Sequence, residues 1–347
     1  MTSQTPHRIL ISRMSAIGDA ILTLPVACAL RQAFPDAYLA WVVEKKAAPM
    51  VRNHRALDEV VVLERGWFTS PKAIRQTRNQ LRALQCDIAI DCQGMTKSAL
   101  ACRLSGASRR IGYKGKHARE LSRWMNNETV NPVFSHLTDR SLELLTRLGI
   151  NTPQVQWDLP IPDTARMWAH RYRRTIASDR LAILNPGATW HSKRWEPERF
   201  GQTARYLADR YGYASVAIWG NDLDREMAET IVATSGGATV LAPDTDLHHL
   251  AALISTSNLF ISGDTGPLHM AVAVGASTIG LYGATRPGDC GPYGQVALQK
   301  AYESGSAKQR RRADNTAMKA IQVEDVCEVV DQWHAKTLGQ FPVAKAA

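Results

Sequence analysis

Asp264, Thr265, Gly266 and His269 stand together in Gly263-Asp264-Thr265-Gly266-Pro267-Leu268-His269, a turn whose hydroxyl and backbone suit an anion and which adds an acid and an imidazole. Thr265 offers a hydroxyl, Gly266 lets the backbone approach a ligand, and Asp264 and His269 place an acid and an imidazole about one helical turn apart. The elements that position them are legible on either side. Leu259 to Ser262 is a short apolar run, Pro267 sits where a first helical turn begins, and Gly275 sits where that helix would stop. A helix starting near Gly266 presents unpaired N–H groups and a partial positive charge, which favour a phosphate. The amide of Leu268 can take part, whereas Pro267 has none. An ordinary capped strand-turn-helix accounts for the same residues without a ligand, so the rest of the chain must decide.

A second loop of this kind opens the chain. Arg8 to Ser12 is β-rich, Gly18 permits a tight turn, and Asp19 lies at the start of the helix-like stretch Ala20 to Ala33. The alternation continues with strands at Tyr38 to Val43, Glu59 to Leu63 and Asp87 to Asp91, and with helices at Pro71 to Leu84 and Thr96 to Leu104. Cys92 to Ser98 is a further Gly-containing loop at a strand end. An amphipathic helix at His136 to Leu148 and a Pro-rich linker ending near Asp163 close the first half. The pattern then restarts: Leu181 to Asn185, Pro197 to Tyr211, Ser215 to Trp219, Asp222 to Ser235, Asp246 to Ser257, the Asn258 to Tyr282 stretch and a final helix at Val323 to His334. This order predicts two doubly wound α/β domains, 1–163 and 164–347, facing a central cleft, with ligands at the carboxyl ends of the strands. The final helix is placed to pack back toward the first domain.

The chain has 347 residues, 45% of them hydrophobic, enough for two cores, and a formal charge of +10. The charge is uneven, since Met1 to Ala165 holds 22 Lys/Arg against 14 Asp/Glu. Between Lys97 and Arg123 eight basic residues face only Glu120. Such a patch suits nucleic acid, an anionic membrane surface, a phosphorylated acceptor or plain solvent. No zinc-finger spacing or helix-turn-helix signature favours nucleic acid, so none is expected. The six cysteines form no Cys-x-x-Cys pair and read as reduced thiols of a cytoplasmic protein, without metal or disulfide. Met1 to Arg8 is polar and reads as no signal peptide, and no run reaches a membrane span, so membrane contact is expected to be peripheral. Lys308 to Arg312 reads as a solvated basic loop.

Gly-x-Gly-x-x-Gly, the Walker lysine motif and the Gly-x-Ser-x-Gly elbow are all missing, which argues against common dinucleotide, triphosphate and hydrolase chemistries. Taken together, Met14 to Asp19 with Leu22-Thr23-Leu24-Pro25, Trp41 to Glu44, Asp91 to Ser98, Asn185 to Ala188 with Lys193-Arg194-Trp195, and Gly263 to His269 resemble glycosyltransferase family 9, the lipopolysaccharide heptosyltransferases. The Asp91 to Ser98 segment is similar to the heptosyltransferase I branch, while Ala188 to Ser192 is nearer the heptosyltransferase II style.

The resemblance implies a GT-B fold of two Rossmann-like domains, the donor held by the second and the acceptor by the first. It implies inverting transfer of heptose from ADP-L-glycero-β-D-manno-heptose to the Kdo region of lipid A at the cytoplasmic face of the inner membrane. Asp19 falls at the family's base position, and Lys193 becomes the cation facing the departing diphosphate. Thr189, Ser192, Asp264, Thr265, Gly266, Leu268 and His269 are implied on the donor side, with Asp224 toward the ribose. Gly18, Arg65, Gln93 and Lys97 are implied on the acceptor side. Asp222-x-Asp224 and Asp244-x-Asp246 spell a metal-binding pattern, yet each precedes a helix where acids serve as caps, and the family resembled works without metal or other cofactor. A different acceptor or nucleotide sugar, a sugar-nucleotide epimerase and a non-enzymatic polyanion-binding protein are the alternatives.

Overall fold

The structure, a computed structural model, describes residues 8–339, so the polar N-terminal residues 1–7, read as no signal peptide, lie outside the described residues. The chain divides into two compact units, Met1–Ala165 and Arg166–Ala347. The first holds β1 (Arg8–Ser12), α1 (Ile17–Ala33), β2 (Tyr38–Glu44), β3 (Glu59–Leu63), α2 (Pro71–Ala83), β4 (Ile88–Asp91), α3 (Thr96–Leu104), β5 (Arg109–Tyr113), α4 (Ser122–Met125), β6 (Glu128–Val130) and α5 (Leu137–Glu143). After α6 (Asp163–Arg173) the second holds β7 (Arg180–Asn185), α7 (Pro197–Tyr211), β8 (Tyr213–Ala217), α8 (Asp222–Thr234), β9 (Thr239–Leu241), α9 (Leu247–Ile254) and β10 (Leu259–Gly263). It continues with α10 (Gly266–Ala273), β11 (Thr278–Tyr282), α11 (Pro287–Cys290), β12 (Val296–Gln299), α12 (Ala307–Arg312), α13 (Thr316–Lys319) and α14 (Val323–Gly339).

The central strands are apolar on both faces, as in Ile9, Leu10 and Ile11 of β1 and Leu259, Phe260 and Ile261 of β10, all fully buried. Such strands demand helices on both sides and parallel neighbours. Every strand pair runs parallel, in the orders β3-β2-β1-β4-β5-β6 and β12-β11-β10-β7-β8-β9. Counted from each unit's own first strand, the two orders are the same. The direction of winding reverses between β1 and β4 in one unit and between β7 and β10 in the other, and the loops diverging there leave a crevice above the strand ends.

The helices follow ordinary rules. α7 opens on Pro197, turns Phe200, Ala204 and Leu207 inward, and closes on Gly212 at φ +70°. α1 begins at Ile17 rather than Ala20, because the Asp19 carboxylate accepts the Ala16 amide and caps an earlier turn. β8 ends at Ala217, short of the expected Trp219. β5, β6, β9 and β12 and the helix α6 were not legible in the sequence. The basic run Lys308 to Arg312 is not a loop: it lies in α12, started by a capping box between Ser306 and Gln309. α14 seats Val326 and Val330 in the second unit's core, and its Asp331 accepts hydrogen bonds from Tyr206 and Tyr211. Among the described residues no helix is long and apolar enough to cross a membrane.

Candidate active site

In the first unit Ser12 and Asp91 end β1 and β4 side by side. The Arg13 side chain is buried, donating Nη1 to the Cys92 carbonyl at 2.6 Å and placing Nη2 2.7 Å from Asp19 Oδ2. The Trp41 indole donates to the Arg13 carbonyl at 3.1 Å. Asp19 is thereby oriented by one buried guanidinium while its side chain stays 40% exposed. A fixed carboxylate open to solvent at a strand end can take a proton from a hydroxyl. Gln93 accepts the Met14 amide at 2.9 Å and so ties the loop after β4 to the loop after β1. Lys97 donates to Ser15 Oγ at 2.8 Å and to Glu44 Oε1 at 2.6 Å, a pair largely withdrawn from water. Arg65 is exposed after β3 and makes no hydrogen bond or ion pair among the described residues.

Asp91 lies beneath this edge. It is fully buried, accepts the Gln93 and Gly94 amides at 3.1 and 2.9 Å, and takes the Asn126 amide at 3.2 Å. Burial pushes its carboxyl up, opposed only by neutral donors. Gly94 turns at φ +67°, and a Cβ there would stand 2.2 Å from the His117 carbonyl oxygen, so the loop needs glycine.

In the second unit Asn185 ends β7 beside Ser262 of β10, and its amide donates to Ser262 Oγ at 2.8 Å and Thr265 Oγ1 at 3.1 Å. A Cβ on Gly263 would lie 2.6 Å from the Lys193 carbonyl oxygen, so glycine lets the Lys193 segment close against the end of β10. Lys193 Nζ then reaches Asp264 Oδ2 at 2.5 Å and lies 4.4 Å from the centre of the Trp190 ring. Thr285 donates to the same Oδ2 at 2.7 Å, and His269 Nε2 is 3.5 Å from Oδ1. Burial alone would raise the Asp264 carboxyl, but the hydrogen bond from His269 and the charge of Lys193 hold it well below the usual carboxylate range.

Thr265 is the backbone N-cap of α10, yet its hydroxyl engages Asn185 and Ser262 and caps no amide. The first-turn N–H groups at Gly266 and Leu268 keep their anion-binding character. Asp224, in the first turn of α8, sits against the loop after β7, where a Cβ on Gly187 would be 2.6 Å from its Cγ. Burial pushes its carboxyl up, opposed by the charge of Arg194 and by bonds from Gly220 and Asn221. Thr189 is exposed, whereas Ser192 is buried and gives its hydroxyl proton to the Arg310 carbonyl at 2.7 Å. Asp246 caps α9 through the His249 amide, and Asp222 and Asp224 occupy the first turn of α8.

A model of glycosyltransferase family 9 (heptosyltransferase) matches residues 74–320. The chain belongs to this family. Lipopolysaccharide heptosyltransferase 1 of Escherichia coli K12 is 31% identical over 301 residues, covering 83% of this chain and 91% of that protein. The crystal structure of a family 9 glycosyl transferase from Veillonella parvula superposes with a TM-score of 0.83 at 23% identity, over 97% and 99% of the two chains. The E. coli heptosyltransferase WaaC with ADP-2-deoxy-2-fluoro heptose gives a TM-score of 0.73 at 25% identity, over 94% and 99%. The two parallel sheets are therefore those of a GT-B glycosyltransferase.

Within this family 9 enzyme the residues singled out in the sequence fall at two strand edges. Asp19, Gly18, Gln93 and Lys97 collect at β1 and β4, with Arg65 after β3; Lys193, Asp264, Thr265, Gly266, Leu268 and His269 collect at β7 and β10. Arg13, Glu44, Asn185 and Thr285 fix these side chains; Glu44 and Asn185 stand in motifs read from the sequence but were given no role there, and Arg13 and Thr285 were missed. Arg13 carries a readable signal, a charge placed directly after an apolar strand and inside a ligand loop. Thr285 carries none, because only the fold brings it to Asp264.

Proposed function

We propose that this enzyme moves heptose from ADP-L-glycero-β-D-manno-heptose to the Kdo region of lipid A, with inversion and without a metal, in inner-core lipopolysaccharide synthesis. The observation that carries the reading is the Asp19 carboxylate, oriented by Arg13 and open to solvent, at the family's base position. Asp19 removes the proton from the acceptor hydroxyl as it attacks the anomeric carbon, and the ADP diphosphate leaves from the opposite face. Lys193 and the first turn of α10 receive the charge that builds on the leaving diphosphate, which removes the need for a metal cation. Thr189, Thr265, Gly266 and Leu268 complete the donor side, Asp224 meets the ribose, and His269 holds Asp264 beside Lys193.

On the acceptor side Arg65 offers an uncompensated charge to a Kdo carboxylate or a lipid phosphate. Lys97 meets such an anion only in competition with Glu44. The excess of basic residues in the first unit supports peripheral contact with the cytoplasmic face of the inner membrane. A heptosyltransferase II acceptor is the second reading, favoured by the segment Ala188 to Ser192. The test is incubation with ADP-heptose and Kdo2-lipid A, following ADP release and product mass, with and without EDTA. Acceptor-dependent ADP release that persists in EDTA is expected. Release only with a heptosylated acceptor supports the second reading, and no release with either acceptor sinks both.

A further inference from the structure

The basic run Lys308 to Arg312 has no part in the reading above, yet its helix is fastened to the donor edge. Arg310 accepts the Ser192 hydroxyl on its carbonyl at 2.7 Å, next to Lys193. Its guanidinium carbon is 5.8 Å from the centre of the Tyr302 ring, and that of Arg286 is 4.8 Å from the same ring. Arg286 adjoins Thr285, whose hydroxyl donates to Asp264, and Asp264 returns the circuit to Lys193. The contacts close a loop: Lys193, Asp264, Thr285, Arg286, Tyr302, Arg310, Ser192 and back to Lys193.

The charges on this loop do not balance. Asp264 is matched by Lys193, but neither Arg286 nor Arg310 has a carboxylate within 4.0 Å among the described residues. Arg310 Nη1 donates to the Gly305 carbonyl at 2.8 Å, while its Nε is buried with no partner. A buried guanidinium N–H without an acceptor is costly, and Arg286, exposed beside the same ring, adds a second charge that no carboxylate matches among the described residues. An anion with several oxygens relieves both, and the forked donors of arginine match phosphoryl geometry.

We infer that Arg286 and Arg310, aligned by Tyr302, form a phosphoryl-binding subsite beside Lys193. It rests on the transferase reading for its place in the reaction but not for its affinity for phosphate. The phosphoryl group comes from the donor's diphosphate or from a phosphate on the acceptor, and the experiment separates these. The full-length chain is titrated calorimetrically with inorganic pyrophosphate and with ADP, and donor and acceptor KM are measured. Wild type is compared with Arg286→Gln/Arg310→Gln and with the charge-retaining Arg286→Lys/Arg310→Lys. Far-UV circular dichroism checks the fold.

The Gln double variant is expected to bind pyrophosphate more weakly by on the order of tenfold or more, with the Lys variant between it and wild type. A parallel loss for ADP assigns the subsite to the donor. An unchanged ADP affinity with a raised acceptor KM assigns it to the acceptor. Unchanged pyrophosphate affinity in a folded Gln variant overturns the subsite. Wild type that binds pyrophosphate but releases no ADP with either acceptor instead overturns the transferase reading, leaving the subsite standing.

Discussion

Asp91 is the last residue of β4 and Asp264 directly follows β10, the fourth strand of each unit, and both are buried. Their chemistry is opposite. Asp91 meets only neutral donors, and burial pushes its carboxyl up; Asp264 meets Lys193 and His269, which hold its carboxyl far down. One topology therefore supplies a carboxyl that shapes a loop in the first unit and an ionised carboxylate that holds a cation in the second. Each fourth strand brings a carboxyl into the interior near its end, while the charge state is set by what a neighbouring loop brings to it.

The largest expected effect tests the division of labour between the two edges. Asp19→Ala should lower kcat by about 10²–10⁴-fold, the usual worth of a general base, with ADP affinity unchanged in calorimetry. Retained turnover would remove Asp19 from the chemistry. Next comes the second unit's pair: Asp264→Ala leaves Lys193 charged and without its carboxylate, which should cost about 3–5 kcal/mol in urea denaturation. A loss under about 1 kcal/mol would show that Lys193 finds water instead.

Pinning distinguishes the edges at a smaller scale. Gly263→Ala must push back the Lys193 carbonyl, and Gly112→Ala must displace Asn126, whose Nδ2 would be 2.1 Å from the new Cβ. Each should cost about 1–3 kcal/mol, but only Gly263→Ala should also raise donor KM. Equal effects on donor KM would break the comparison.

The smallest effect is expected from Asp91→Asn. The Asn126 Oδ1 atom is buried without a partner, so its amide can turn to accept from the new side chain, and the cost should stay near about 1 kcal/mol. Urea titrations across pH then fix the signs. The folded value of Asp264 is lowered, so its stabilisation is fully present above the unfolded carboxylate value of about 3.9 and is lost as pH falls toward the folded value. The folded value of Asp91 is raised, so its contribution is present below about 3.9 and declines as pH rises through the raised value. The gap between wild type and Asp264→Ala should thus shrink in acid, and that between wild type and Asp91→Asn should move the other way.

Much of this was legible in the residues. β1, β3, α3 and α7 fall on the bounds read from apolar runs and from Pro and Gly punctuation. Four strands were not. β5 begins with Arg109 and Arg110, β6 and β9 have three residues each, and β12 is a short strand at the sheet's end. Such strands exist because a formed neighbour offers hydrogen bonds, which no local pattern announces. The loops that gather the site were visible as Gly-containing turns, but the pairs Arg13 with Asp19, Lys97 with Glu44, and Lys193 with Asp264 were not. Each joins residues whose distance depends on the finished sheet or the path of a loop.

The parallel sheets also set an order of assembly during synthesis. Ile9 of β1 pairs with Leu39 on one side and with Ile88 on the other, so the first central strand waits half-covered until β4 has been made. The same delay recurs in the second unit, where Ile183 of β7 pairs with Val216 early and with Phe260 late. Such crossover sheets close slowly and expose unpaired strand edges while they wait. The strand ends beside Asp19 and Asp264 are thus completed by the last-arriving partner of each centre, and a nascent chain acquires the Asp19 edge well before the Lys193 edge.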